Sequence, residues 1–183
     1  MLELNDVLVE GAEKTISMMA QECQVTCLTG GSSKIRSQLL LAMMGLATVK
    51  SGYISIDGEP LETSNAKNFR RLMSYAPSQL EADGEIMVYK PPTVQDVFSW
   101  KDNRDAAISN GLLEEEMKRT MAPKEKAQLL AVAVLRKRPI LLVDQPHALS
   151  ANYLRLLATD SQLVIVSSDD PSILSASDNI VEI

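Results

Sequence analysis

The sequence predicts an α/β fold with a mostly parallel central sheet, and three observations carry that prediction. Short apolar runs alternate with helical patterns along most of the chain. Two of those runs, inside "PILLVD" (139–144) and "QLVIVSS" (162–168), are continuously apolar, as strands covered on both faces must be. A third, "QVTCLT" (24–29), runs into glycines and then into an apolar helical pattern, a strand–turn–helix joint.

The elements follow in order. Strands are predicted at 24–29, 52–57 ("GYISID"), 72–77 ("LMSYAP"), 139–144, 162–168 and 179–183 ("NIVEI"). Helical patterns fall at 37–46, roughly 94–99, roughly 104–118 and 124–137. The stretch 80–120 differs in character: it holds "EADGE", the "KPP" break and the charged "LLEEEMKR", with weak strand signal. A structureless loop of that length is unusual in a compact domain, so the stretch reads as a reduced helical insertion. The α/β core then comprises 1–79 and 121–183.

Composition narrows the function. At 183 residues the chain suits one domain with a sizeable core, and 45% hydrophobic with 23% charged residues is ordinary for a soluble protein. No apolar run is long enough to span a bilayer, and "MLELNDVLVE" lacks the basic and apolar regions of a secretory leader. The expectation is a cytoplasmic chain that reaches a membrane, if at all, only through a partner. A net charge of −6 and 4% aromatics argue against nucleic acid as a partner. Cys23, Cys27 and a lone His147 are too few for a metal site or a disulfide framework, so Cys27 reads as a buried thiol. The pairs Met18/Met19 and Met43/Met44 read as core filling.

Several stretches, taken in order, are similar to the ATP-binding cassette (ABC) ATPase domain, over nearly the whole chain. "TISMMAQECQVTCLTG" resembles the family's strand entering the phosphate loop. "LLLAMMGLATVKSGYISIDGEPL" resembles the helix that follows, and "FRRLMSYAPSQ" the strand leading to the Q-loop. "AVLRKRPILLVDQP" resembles the helix after the signature motif and then the Walker B strand, and "LVIVSSDD" stands where the family has its switch histidine. The order and spacing of these pieces make the resemblance specific. It implies a P-loop NTPase-like core with N-terminal antiparallel strands and a small helical subdomain.

At the functional positions the same alignment departs from the family. The loop pattern G-x-x-G-x-G-K-[ST]-[ST] falls on 30–38: Gly30 and Ser37 agree with it, Ser33 and Ile35 stand at glycine positions, Arg36 at the lysine and Gln38 at the last hydroxyl. Glycines let backbone N–H groups wrap a phosphate, often at positive φ, which a β-branched Ile tolerates poorly. Arg36 keeps a positive charge but not the compact ammonium. Asp144 and Ser37 match the Mg²⁺ positions, whereas Gln145 replaces the Glu that would polarise water, forfeiting general-base help of roughly 10²–10⁴-fold. Ser168 stands at the switch histidine, and Ser78 at the Q-loop glutamine with Gln79 beside it. Met121, Ala122, Pro123, Lys124 and Glu125 replace the signature motif, losing a hydroxyl and an N–H. The adenine-stacking aromatic has no counterpart near "LVEGAEK".

The resemblance therefore implies a subunit that uses the fold without the reaction, binding ATP and Mg²⁺ weakly or not at all. Its implied partners are another ABC-type subunit, as a dimer, or a membrane permease-like protein. Two alternatives stay open: a divergent ATPase activated by a partner through Arg36, Ser37 and Asp144, and an interaction module with no membrane link.

Overall fold

A computed structural model of the chain describes residues 1–78, 130, 133–146, 149–159 and 162–183. The predicted insertion 80–120, the signature positions 121–125 and most of the helical pattern 124–137 lie outside the described residues; of that pattern, 130 and 133–135 are helical. In chain order the elements are β1 (Leu2–Val9), β2 (Ile16–Ala20), β3 (Val25–Thr29), α1 (Ser33–Met43), β4 (Val49–Ile56), β5 (Glu59–Pro60), α2 (Ala66–Arg71), β6 (Met73–Ala76), β7 (Ile140–Asp144), α3 (Ala151–Thr159), β8 (Leu163–Ser167), α4 (Pro171–Ala176) and β9 (Asn179–Glu182).

They form two sheets. One is antiparallel, in the order β2-β1-β4-β5; the other runs β6-β7-β8-β3-β9 with every pairing parallel. The parallel sheet is the predicted one, and each residue of β7 and β8 is buried, as their continuous apolar runs require. Its two faces feed separate cores. Val25, Cys27, Leu141, Val143, Val164 and Val166 face α3 and α4, packing with Leu154, Leu157 and Ile173. Leu28, Leu142 and Ile165 face the opposite way, toward α1 and the antiparallel sheet. Fully burying side chains of this size stabilises by about 1.5–3 kcal/mol each.

The strands β1 and β2 are the antiparallel pair that the resemblance implied. Their pattern is hard to read locally because β1 carries an irregularity: Leu2 and Leu4 are buried, then Val7 and Val9, with the register shifting between Leu4 and Val7. Period-two alternation fails across that shift. Gly52, at φ +78 on β4, lies against the same bulge, where an added Cβ would meet the carbonyl oxygens of Asn5 and Asp6 at 2.3 Å. The short α2, α3 and α4 are further elements with no counterpart among the helices predicted. Of the methionine pairs, Met18, Met43 and Met44 fill core as expected, but Met19 points outward and is 50% exposed.

The helix after the glycines starts earlier than its pattern suggests, at Ser33 rather than 37. Ser32 supplies the N-cap, its side chain accepting from the Ile35 N–H at 3.3 Å. Arg36, Leu39, Leu40 and Met43 share the buried face at i, i+3, i+4 and i+7. At the other end Gly45 (φ +65) donates to Ala42 O and Leu46 to Leu41 O, both at 2.9 Å, which is a Schellman stop.

Candidate functional site

The candidate site lies at the C-terminal ends of β3, β7 and β8, where the sheet meets the start of α1. Thr29 closes β3, and Gly30 and Gly31 turn the chain at φ +72 and +56. Both turn residues lie against the end of β9: a Cβ at Gly30 would come within 3.1 Å of Glu182 Cγ, and one at Gly31 within 3.2 Å of Ile183 O. Beyond Gly31 no residue of the loop requires positive φ, and the capped helix begins. Ser33, Ile35 and Arg36 therefore stand on the first turn of α1, with Ser37 and Gln38 on the next. The backbone N–H groups of Ile35 and Arg36 donate to Ser32 O at 3.0 and 3.2 Å, inside the helix rather than out of it. Ile35 packs partly buried against the core between the sheets.

Arg36 is buried, 4% exposed, yet its head group returns to the turn it has just left. Its Nη1 donates to Gly30 O at 2.5 Å and to Asp169 Oδ1 at 3.1 Å, while Nη2 donates to Asp169 Oδ2 at 2.6 Å. Asp169 Oδ1 also accepts from Thr29 Oγ1 at 2.9 Å and from the Gly30 N–H at 3.1 Å. One carboxylate thus gathers a guanidinium fork, a hydroxyl and a turn N–H, a charge-assisted set of the kind that binds oxyanions. Partial desolvation pushes the Asp169 carboxyl up, but the hydrogen bonds from Thr29 and Gly30 and the charge of Arg36 outweigh it and hold it below the ordinary carboxylate value. Among the described residues, Arg36 Nε has no hydrogen-bond partner.

A second polar cluster surrounds Asp144, which is 3% exposed at the end of β7. Its Oδ2 accepts from Ser37 Oγ at 2.7 Å and from the Tyr75 hydroxyl at 3.3 Å, and its Oδ1 from Ser167 Oγ at 2.7 Å. Burial, with the Asp144 charge and hydrogen bond added, pushes the Tyr75 phenol far above its ordinary value, so it stays a neutral donor. Gln145 sits at φ +46, a strained conformation for a residue with a side chain. The Ser167 backbone oxygen and hydroxyl hold its N–H at 3.0 and 2.9 Å, and its Nε2 reaches Ser37 Oγ at 3.4 Å. Gln145, Ser37, Asp144, Ser167 and Tyr75 are thereby linked in one network.

The remaining predicted positions are placed differently. Ser168 is buried; its N–H donates to Leu28 O at 3.0 Å and its hydroxyl accepts from the Asp170 N–H at 3.1 Å, so it serves the turn between β8 and α4. Met121, Ala122, Pro123, Lys124 and Glu125 lie outside the described residues. Cys27 is buried as predicted, and burial raises its thiol to about 11, which keeps it protonated and inert. Asp169, Ser167 and Tyr75 are the side chains that sequence reading passed over. "SSDD" offered an acid beside the expected switch position, but nothing in the sequence indicates that it faces Arg36, 133 residues away. Among the described residues no cluster of three His, Cys, Asp or Glu could hold a metal by itself.

A five-stranded parallel sheet with a glycine turn and helix at its head, covered by an antiparallel sheet, is the core of an ATP-binding cassette domain. The chain belongs to the ABC transporter family, whose profile matches residues 14–148. It is 30% identical over 89 residues to the arabinose import ATP-binding protein AraG of Pectobacterium atrosepticum, a match spanning 48% of this chain and 18% of that relative. Its fold resembles the ATP-binding subunit of an ABC transporter at a TM-score of 0.68 and 19% identity, covering all of this chain and 85% of the other. It likewise resembles the ATP-binding cassette MJ0796, a post-hydrolysis dimer bound to ADP and Pi, at 0.70 and 17%, covering all of this chain and 94% of that one. A bacterial Atm1-family ABC exporter with ATP bound matches at 0.71 and 14%, covering all of this chain and 36% of the exporter. At such identities the structural likenesses establish the fold.

Proposed function

We propose that this chain is a catalytically silent ABC-type subunit, acting as a structural or regulatory partner in a transporter-like complex. The observation that carries the reading is the engagement of Arg36 and the Gly30 N–H by Asp169. In this reading the residues do not fit a nucleoside triphosphate. The cation at the lysine position is already neutralised, and the residues at two glycine positions are wound into α1 instead of lining a cradle. Ser37 and Asp144 are hard oxygen donors of the type Mg²⁺ takes, but Mg²⁺ at such sites leans on substrate phosphates for further ligands. Gln145 carries no carboxylate to accept a proton from water. The partner is another ABC-type subunit, a membrane permease-like protein or both, placing the chain peripherally at the inner face of a membrane. No helix among the described residues is long and apolar enough to cross one. Phosphate-release assays on the purified chain test the reading: no turnover above background is expected, and turnover abolished by Asp144→Ala would sink it.

A second reading, a divergent ATPase completed by a partner cassette, draws on the Ser37–Asp144 hydrogen bond at 2.7 Å, which keeps a hydroxyl beside a carboxylate. Calorimetry separates the two: Mg-ATP binding that weakens in Arg36→Ala supports this one. A third, an interaction module without a membrane link, is told apart by what a native pull-down recovers. Permease subunits count against it, and cytosolic partners alone support it.

A further inference from the structure

We propose that Asp169 is the internal anion of the glycine turn, closing to phosphate a site whose donors the chain still possesses. The inference rests on the reading that this loop holds no nucleotide, and it names what holds the loop instead. Asp169 takes the donors that an oxyanion would need at this corner: both terminal nitrogens of Arg36, the Thr29 hydroxyl and the Gly30 N–H.

The arrangement is lopsided in a way that bears on its role. Arg36 is 5% exposed at its side chain and Asp169 58%, so the cation belongs to the interior and the carboxylate approaches from outside, as a ligand does. The guanidinium cannot leave, because its stem lies on the buried face of α1 beside Leu39, Leu40 and Met43. Asp169 stands in the turn between β8 and α4, anchored by Ser168 on one side and by the Asp170 cap of α4 on the other. A carboxylate offers two oxygens in a plane, matching the guanidinium fork as phosphate does. Among the described residues Arg36 Nε remains without a partner, a donor that the carboxylate leaves unsatisfied. Take the carboxylate away, and a buried cation faces solvent beside the capped start of an eleven-residue helix. Such a cation recruits a replacement anion.

The test uses the full chain, with inorganic phosphate, pyrophosphate and Mg-ATP each titrated calorimetrically into wild type, Asp169→Ala, Asp169→Asn and Arg36→Met/Asp169→Ala. Wild type is expected to show no saturable heat with any of them. Asp169→Ala should bind pyrophosphate at least tenfold more tightly than wild type, and the double variant should lose that gain. Asp169→Asn, similar in shape but neutral, should gain less than Asp169→Ala because its amide still covers the turn. Circular dichroism establishes folding. Wild-type pyrophosphate binding as tight as that of Asp169→Ala overturns the inference, as does a folded Asp169→Ala with no gain. If neither single variant folds, the wild-type titration decides: saturable binding overturns the inference and its absence upholds it. An inactive wild type with no gain in Asp169→Ala sinks this inference alone, whereas wild-type turnover sinks the functional reading it rests on.

Discussion

The guanidinium of Arg36 grips the carboxylate of Asp169 with both terminal nitrogens, at 3.1 and 2.6 Å, and ties the start of α1 to the end of β8. The two residues stand 133 positions apart in the chain. Here they contact each other.

Because Arg36 is the buried member, the two ends of the pair should respond unequally to mutation. Asp169→Ala strands a buried charge and is expected to cost about 1–3 kcal/mol, toward the lower end because the carboxylate side is open to water. Arg36→Met keeps the apolar stem and removes the charge that needs a partner, so it should cost less than Asp169→Ala. Urea denaturation of both variants decides the order, and a larger loss in Arg36→Met contradicts it.

The same contact makes stability depend on acid. The folded Asp169 carboxyl lies below its ordinary value of 3.8, so its contribution is complete above that value and is lost as pH falls through the lower folded one. Arg36 is the cation facing it, and Glu182, beside Gly30, and Asp170, the next residue, are acids at the same corner. Solvent screens a carboxylate this exposed, so the contribution should be modest and weaken with salt. Urea midpoints of wild type and Asp169→Asn should stay apart from pH 7 down to the ordinary carboxylate value and converge as pH falls on through the lower folded one. Curves that stay parallel across that range would show that the contact contributes nothing through charge.

The parallel sheet is legible in the sequence because β7 and β8, buried on both faces, leave unbroken apolar runs. The glycine turn is legible because Gly30 and Gly31 carry the positive φ that follows β3. The antiparallel sheet is not legible locally, since the bulge in β1 breaks the alternation between Leu4 and Val7. Nor is Asp169: its partner lies across the fold, and no pattern of nearby residues encodes a contact at that separation. Nor does the sequence around Ile35 and Arg36 announce that α1 begins at Ser33, a turn before its apolar pattern.

Two glycines on neighbouring stretches of backbone separate steric need from conformational cost. Gly52→Ala would put a Cβ 2.3 Å from the carbonyl oxygens of Asn5 and Asp6, so the bulge must open, costing about 3 kcal/mol or more. Gly58→Ala, at φ +82 with nothing among the described residues within 4 Å, should cost only about 1–2 kcal/mol. Thermal unfolding of the two variants side by side measures the difference, and equal losses would mean that the bulge yields freely.

Around Asp144 the strongest support comes from the two hydroxyls at 2.7 Å rather than the phenol at 3.3 Å. Ser167→Ala also removes the hydroxyl that accepts from the Gln145 N–H, so it should destabilise by about 1–3 kcal/mol. Tyr75→Phe, which deletes one long hydrogen bond, should cost less than about 1 kcal/mol. Chemical denaturation ranks the two, and the reverse order would relocate the main support of the buried carboxylate.

Restoring one residue should not restore a reaction. In the proposed reading Gln145 stands where a water-polarising Glu would be, so Gln145→Glu, taken alone, suggests a gain of hydrolysis. Three features oppose it. Arg36 stays neutralised by Asp169, Ile35 stays inside α1, and the new carboxylate would lie beside the buried Asp144 network, where like charges repel. Gln145→Glu should therefore release no phosphate from ATP above the wild-type background, and should be less stable than wild type because a second acid joins that cluster. Adding Asp169→Ala frees Arg36 but leaves the loop wound, so the double variant should bind pyrophosphate without hydrolysing ATP. Hydrolysis gained in Gln145→Glu alone would count against the proposal that the Arg36–Asp169 contact closes this loop to ATP.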